Sequence, residues 1–143
     1  MTVSVILAHK GRDVVTIDPA ESLTQAIKIL AEKRIGAGLV LGADRRIVGI
    51  ISERDIVRAL AERGAAALDE QVSRTMTRKV ETCSESESVA SIMERMTAGK
   101  FRHLPVVDQG RLVGLVSIGD IVKHRVHEME RDSVAMRDYI MTA

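Results

Sequence analysis

The chain has 143 residues, with 21 Lys and Arg against 20 Asp and Glu for a net charge of +1. That length suits one domain or two very small ones sharing a core, and the charge leaves no basic field of the kind that drives non-specific nucleic-acid binding. Only Phe101 and Tyr139 are aromatic, too few for a base-stacking platform, and the single cysteine, Cys83, excludes an intramolecular disulfide and fits a reducing cytoplasm.

The segment Met1 to Ala8 is a short apolar run without a cationic lead, followed by His9-Lys10-Gly11-Arg12. It is far shorter than a signal core or a membrane span of ~20 residues, so no membrane partner is expected. Val14 to Ile17 reads as a strand closed by Asp18-Pro19. Ser22 caps a helix in which Leu23, Ala26, Ile27, Leu30 and Ala31 form one apolar stripe through Arg34. Leu39–Leu41 and Ile47–Ile51 flank a polar turn and predict a hairpin. Ser52 opens a second helix, Glu53 to Glu62, with Gly64 placed to stop it.

The pattern then repeats. Glu21-Ser22-Leu23 aligns with Glu87-Ser88-Val89 at a spacing of 66, and Asp55-Ile56-Val57 with Asp120-Ile121-Val122 at 65, the lost residue falling in the hairpin turn. Between the copies, Ala65 to Val72 leads into Ser73-Arg74-Thr75-Met76-Thr77-Arg78-Lys79, read as a basic linker. The second copy predicts an opening strand through Thr82-Cys83, a helix from Ser88 to Ala98, strands Leu104–Val107 and Leu112–Val116, and a helix after Ser117. The fold class is therefore α/β of the α+β type, two βαββα repeats packed about a pseudo-two-fold axis and divided at 1–72 and 73–143. Beyond the second repeat, Val122, Val126, Met129, Val134, Met136 and Ile140 predict a long amphipathic continuation with an interruption at Asp132-Ser133, its apolar stripe fitting another subunit.

The repeated chemistry is Gly-x-x-Ser-x-x-Asp, as Gly49-Ile50-Ile51-Ser52-Glu53-Arg54-Asp55 and Gly114-Leu115-Val116-Ser117-Ile118-Gly119-Asp120. Either copy alone reads as a helix cap with an acidic residue three positions on. Two in register also read as a site, because a helix N-terminus stabilises a phosphate and a first-turn carboxylate accepts from ribose hydroxyls. Cys83 reads by default as a small buried hydrophobe, and His124 and His127 with Glu128 nearby as a polar helix face without a third metal ligand. No nucleophile turn, Walker loop or paired-cysteine site is present, so no catalysis is expected.

The run Arg102-His103-Leu104-Pro105-Val106-Val107-Asp108 followed by Gly114–Val122 resembles a CBS (cystathionine β-synthase) domain, and the first repeat resembles another. The chain is similar to a stand-alone CBS pair, or Bateman module, from about Val14 to Lys123. The resemblance implies a regulatory module binding AMP, or alternatively ATP, ADP or NAD(H), in clefts between repeats. It also implies a homodimer built from repeat helices, with the C-terminal helix added here, that signals energy status to a downstream protein. Carried onto this sequence, Asp55 and Asp120 would hold riboses, Ser52 and Ser117 would face phosphates, and Arg54 would assist the first cleft. Gly119 replaces that arginine in the second, where Arg102, His103 or Lys79 would supply the cation. Adenine would lie against Thr16-Ile17, Thr82-Cys83, Ala37 and His103-Leu104-Pro105. Gly36-Ala37-Gly38-Leu39 in the first repeat lacks the cations and proline of its counterpart, which favours the second cleft.

Overall fold

A computed structural model describes residues 1–142, among which six α-helices and five β-strands are formed. In chain order these are α1 (Val3–Lys10), β1 (Thr16–Ile17), α2 (Leu23–Lys33), β2 (Ala37–Leu41), β3 (Ile47–Ser52), α3 (Glu53–Arg63), α4 (Val72–Thr75), α5 (Val89–Gly99), β4 (His103–Asp108), β5 (Arg111–Ser117) and α6 (Ile118–Thr142). The mixed helix and strand content is that of an α+β tandem repeat. Two compact units result, one of Asp13–Thr82 with Val107–Val113, the other of Met1–Arg12, Cys83–Val106 and Gly114–Ala143. They are cut differently from the 1–72 and 73–143 division, because the amino-terminal segment folds with the second repeat.

In the unit built on the first repeat, β1 pairs parallel with β2, and β2 pairs antiparallel with β3, with Ala37 opposite Ser52 and Leu39 opposite Ile50. Ile17, Leu23, Ala26, Leu30, Val40 and Ile51 bury their side chains in one aliphatic core. Each large aliphatic group so buried contributes roughly 1.5–3 kcal/mol. Ala31, expected on the α2 stripe, is exposed. The stretch leading into the expected basic linker forms a 3-10 helix at Gly64–Asp69, and the linker itself, Ser73 to Lys79, begins within a turn of α-helix at Val72–Thr75. Ala67, Val72 and Met76 enter the core, and Ile50 and Thr77 exchange two backbone hydrogen bonds of 2.8 Å. Apolar residues spaced among the basic ones were enough to fasten it down.

The second unit differs from expectation at three places. Thr82-Cys83 forms no strand, only a single parallel bridge from Cys83 to Val106, the Cys83 N–H donating to the Pro105 carbonyl at 2.9 Å. The apolar lead at the amino terminus is the helix α1, with Val3, Ile6 and Leu7 buried. The expected interruption at Asp132-Ser133 is absent, and α6 runs unbroken for 25 residues. Asp and Ser cost a helix interior only tenths of a kcal/mol, and the surrounding Met, Glu, Arg and Ala are strong formers.

The two lead-in segments are themselves a repeat. Val72 N–H donates to the Glu21 carbonyl at 2.8 Å and Leu23 N–H to that of Glu70 at 3.0 Å. Correspondingly, Val3 N–H donates to the Glu87 carbonyl and Val89 N–H to that of Met1, both at 3.0 Å. A β-carbon added at Gly49 would fall 2.7 Å from Met76 Sδ, and one at Gly114 would fall 2.8 Å from Leu7 Cδ2. Each lead-in thus lies so close to its glycine that a side chain there has no space.

Candidate functional site: two strand-to-helix corners

In the first corner β3 ends at Ser52 and α3 begins. Ser52 Oγ accepts from the Asp55 N–H at 3.2 Å, and Asp55 Oδ2 accepts from the Ser52 N–H at 3.0 Å and from its hydroxyl at 2.9 Å. This reciprocal box satisfies donors that the first helical turn would otherwise leave orphaned. Asp55 Oδ1 also accepts from the Thr77 hydroxyl at 3.3 Å, and Arg58 stands 3.9 Å away. The carboxylate is 8% exposed, so it is held from three sides. The Glu53 N–H donates to the Gly36 carbonyl at 2.9 Å, tying the helix start to the residue before β2. Among the other expected residues, Ala37 is half-buried opposite Ser52, while Thr16, Arg54 and Lys79 are exposed. Ile17 is fully within the core, so only its backbone can meet a ligand.

The second corner repeats the box. Asp120 Oδ2 accepts from the Ser117 N–H at 2.8 Å, Ser117 Oγ accepts from the Asp120 N–H at 3.1 Å, and Ile118 N–H donates to the Arg102 carbonyl at 2.8 Å. The third partner is different. Lys10 Nζ, at the end of α1, donates to Asp120 Oδ2 at 2.6 Å and to the Leu115 carbonyl at 2.9 Å. Burial pulls the Asp120 carboxyl upward, but the hydrogen bonds from Lys10 and Ser117 outweigh it and hold the group below its ordinary value. His103 is lowered, first by burial and then by the Lys10 charge, with Asp120 opposing.

Arg102 and His103 are exposed, Thr82 is half-buried, and Gly119 is open to solvent. Leu104, Pro105 and Cys83 are buried, so their side chains belong to the core. Burial and the Glu87 charge push the Cys83 thiol up to about 11, against a weaker pull from Arg95. The group is a neutral packing residue at physiological pH. Asp120 also lines a cavity of about 350 Å³ with Lys10, Lys123, His124 and Arg131; of the residues expected at the second site, it alone borders this space. Sequence reasoning missed Lys10. The available signal was its position: Val3-Ser4 and Lys10 recur as Val72-Ser73 and Lys79 at a spacing of 69.

A family model for the CBS domain matches this chain twice, over residues 10–62 and 70–127. The chain belongs to the CBS domain family. Among solved structures, a CBS-domain containing protein from Agrobacterium tumefaciens is 47% identical, with a TM-score of 0.78 over 87% of this chain and 92% of its own. A CBS domain protein from Pyrobaculum aerophilum complexed with AMP is 30% identical, with a TM-score of 0.71 over 84% and 89%. The CBS domain pair of protein MJ0100, in complex with 5′-methylthioadenosine and S-adenosyl-L-methionine, is 29% identical, with a TM-score of 0.74 over 90% and 98%. The chain is thus a CBS pair, a Bateman module in architecture.

Proposed function

We propose that this CBS pair is a regulatory, non-catalytic module that binds AMP, with ADP, ATP or NAD(H) competing for the same sites, and reports energy status to a downstream protein. The observation that carries the reading is the duplicated corner itself. Each copy sets a hydroxyl and a carboxylate on the first turn of a helix, where the partial positive charge favours a phosphate and the carboxylate can accept from two ribose hydroxyls. CBS pairs of the same fold are complexed with AMP and with other adenosine compounds. In this reading Asp55 and Asp120 take the riboses, and Ser52 and Ser117 the phosphate side. Arg54 assists at one corner and Arg102 and His103 at the other. The base meets Thr16, Ala37 and Thr82 and the backbone of Ile17, Cys83, Leu104 and Pro105. At the second corner the ribose takes the place of the Lys10 ammonium on Asp120.

The module acts as a homodimer through its repeat helices. Val57 on α3 and Val122 on α6 occupy equivalent positions and are 66% and 57% exposed, apolar surface that a second copy would cover. Among the described residues no helix is long and apolar enough to cross a membrane. We place the protein in the cytoplasm, where a single free thiol is at home, and without a nucleic-acid partner.

A thermal-shift panel of AMP, ADP, ATP, NAD, NADH, 5′-methylthioadenosine and S-adenosylmethionine tests this, on the parent and on Asp55→Asn and Asp120→Asn. A ligand at 100 times its dissociation constant is expected to add ~2.7 kcal/mol to the parent. The gain should shrink in at least one variant. If no adenosine compound shifts the parent, the protein is a partner-binding scaffold with unused corners. If both variants respond like the parent, the ribose assignment is wrong.

A further inference from the structure

Every residue from Met129 to Met141 is exposed, so the second half of α6 has no cover of its own. An isolated helix shorter than ~12–15 residues is marginal in water, and this stretch is about that long. Most of the exposed large apolar residues of α6 share one line, while Val134, expected on that stripe, lies off it, as do Tyr139 and Met141. Val122, Val126, Met129, Ser133, Met136 and Ile140 follow one another at steps of four, three, four, three and four, an alternation that keeps one narrow seam on a helix. Ser133 is its one polar member. His124, which lines a cavity with α1, lies two positions from both Val122 and Val126 and therefore about 200° around the axis, and the buried Ile121 lies about 100° from Val122. The seam faces away from its own unit.

The residues beside the seam say what covers it. With Val126, Ser133 and Ile140 in one core position and Val122, Met129 and Met136 in the other, the flanks are Arg125 and Asp132 on one side and Glu130 and Arg137 on the other. When two such helices run parallel and in register, each flank residue faces the opposite flank five residues on in the partner. Arg125 then meets Glu130 and Asp132 meets Arg137, and two-fold symmetry makes every pair twice. An antiparallel pairing centred on the same seam sets Asp132 against Asp132 and Glu130 against Glu130.

We propose that α6 from Val122 to Ile140 is a parallel, in-register two-stranded coiled coil with α6 of a second copy of this chain. The inference rests on the dimeric reading above and adds its orientation and register. It fixes the two carboxyl-terminal ends side by side, where a downstream protein would find both together.

Met129→Cys and Met136→Cys, made separately and exposed to oxidised glutathione, test the register, since Cys83 is only 3% exposed and does not compete. Each variant is expected to give a covalent dimer on a non-reducing gel and to sediment as a dimer before oxidation. Cross-linking only when the two variants are mixed overturns the parallel arrangement. A dimer that cross-links in neither overturns the seam, yet leaves a dimer through the repeat helices standing. A monomer at all concentrations overturns both. Arg125→Glu should weaken dimerisation about tenfold at low salt, and Arg125→Glu with Glu130→Arg should restore it. If the single charge reversal changes nothing, the proposed register is wrong.

Discussion

Asp55 and Asp120 stand at equivalent corners and accept the same backbone hydrogen bond, yet the first also accepts one from the Thr77 hydroxyl and the second one from the Lys10 ammonium. The difference originates upstream. After Val72 the helical lead-in lasts four residues and gives way to an extended Thr77 paired with Ile50, which puts a short side chain beside the carboxylate. After Val3 it stays helical for eight residues, and the chain returns a long, charged side chain from its end. One cap design has therefore been finished with a neutral partner and with a charged one. The first carboxylate has a neutral hydroxyl and only a distant guanidinium, Arg58 at 3.9 Å, whereas a ligand at the second must displace a close ion pair of 2.6 Å.

The glycines beneath the lead-ins are the sharpest way to break this pairing. In Gly49→Ala the new methyl would lie 2.8 Å from the Thr77 carbonyl oxygen as well as against Met76, and a paired backbone cannot yield. In Gly114→Ala it would meet only the Leu7 side chain, which can change rotamer. We expect losses of about 3 kcal/mol for Gly49→Ala and about 1 kcal/mol for Gly114→Ala in urea unfolding, from the usual cost of overpacking. Equal losses would mean that the two lead-ins are equally rigid.

Removing the acids comes next in size. Asp55→Ala strips a buried acceptor from the Ser52 and Thr77 hydroxyls and removes half of the capping box, which should cost about 2 kcal/mol. Asp120→Ala leaves a lysine that can return to water, its side chain already 33% exposed, and should cost about 1 kcal/mol. The order of the two, measured by the same urea titration, is the informative result. A larger loss at Asp120 would show that the lysine contact outweighs burial.

The elements were legible wherever local chemistry decides them. Ser22, Ser52 and Ser88 each accept from a backbone N–H three residues on, and the helices begin where those caps predict. What stayed hidden was decided by contacts remote in sequence. Nothing in Val3-Ser4-Val5 announces that its backbone will bond Glu85 and Glu87, and nothing local to Lys10 points to a carboxylate 110 residues away. The corners as a constellation could be read because the chain writes them twice. Which flanking side chains stay outside could not: alternation marks Leu104, Ile17 and Cys83 as strand-like, but only packing shows that all three turn inward.

The charged finish of the second corner should appear as pH dependence that Lys10→Met removes. Asp120 is held below its ordinary 3.8, so its contribution to stability is complete above that pH and is lost as pH falls through the lower folded-state value. His103 lies below its ordinary 6.5, so the unfolded chain takes this proton first, and stability begins to fall as pH drops past 6.5. Lys10 deepens both shifts, one by hydrogen bonding and both by charge. Subtracting the Lys10→Met unfolding free energy from that of the parent across pH 2–8 should therefore give a difference that declines with acid in two steps, a slight one below 6.5 and a further one below 3.8. The total is expected to be about 0.5 kcal/mol, because the pair is partly exposed. It should diminish with salt. A difference flat in pH would show that Lys10 acts through its apolar stem and not through its charge.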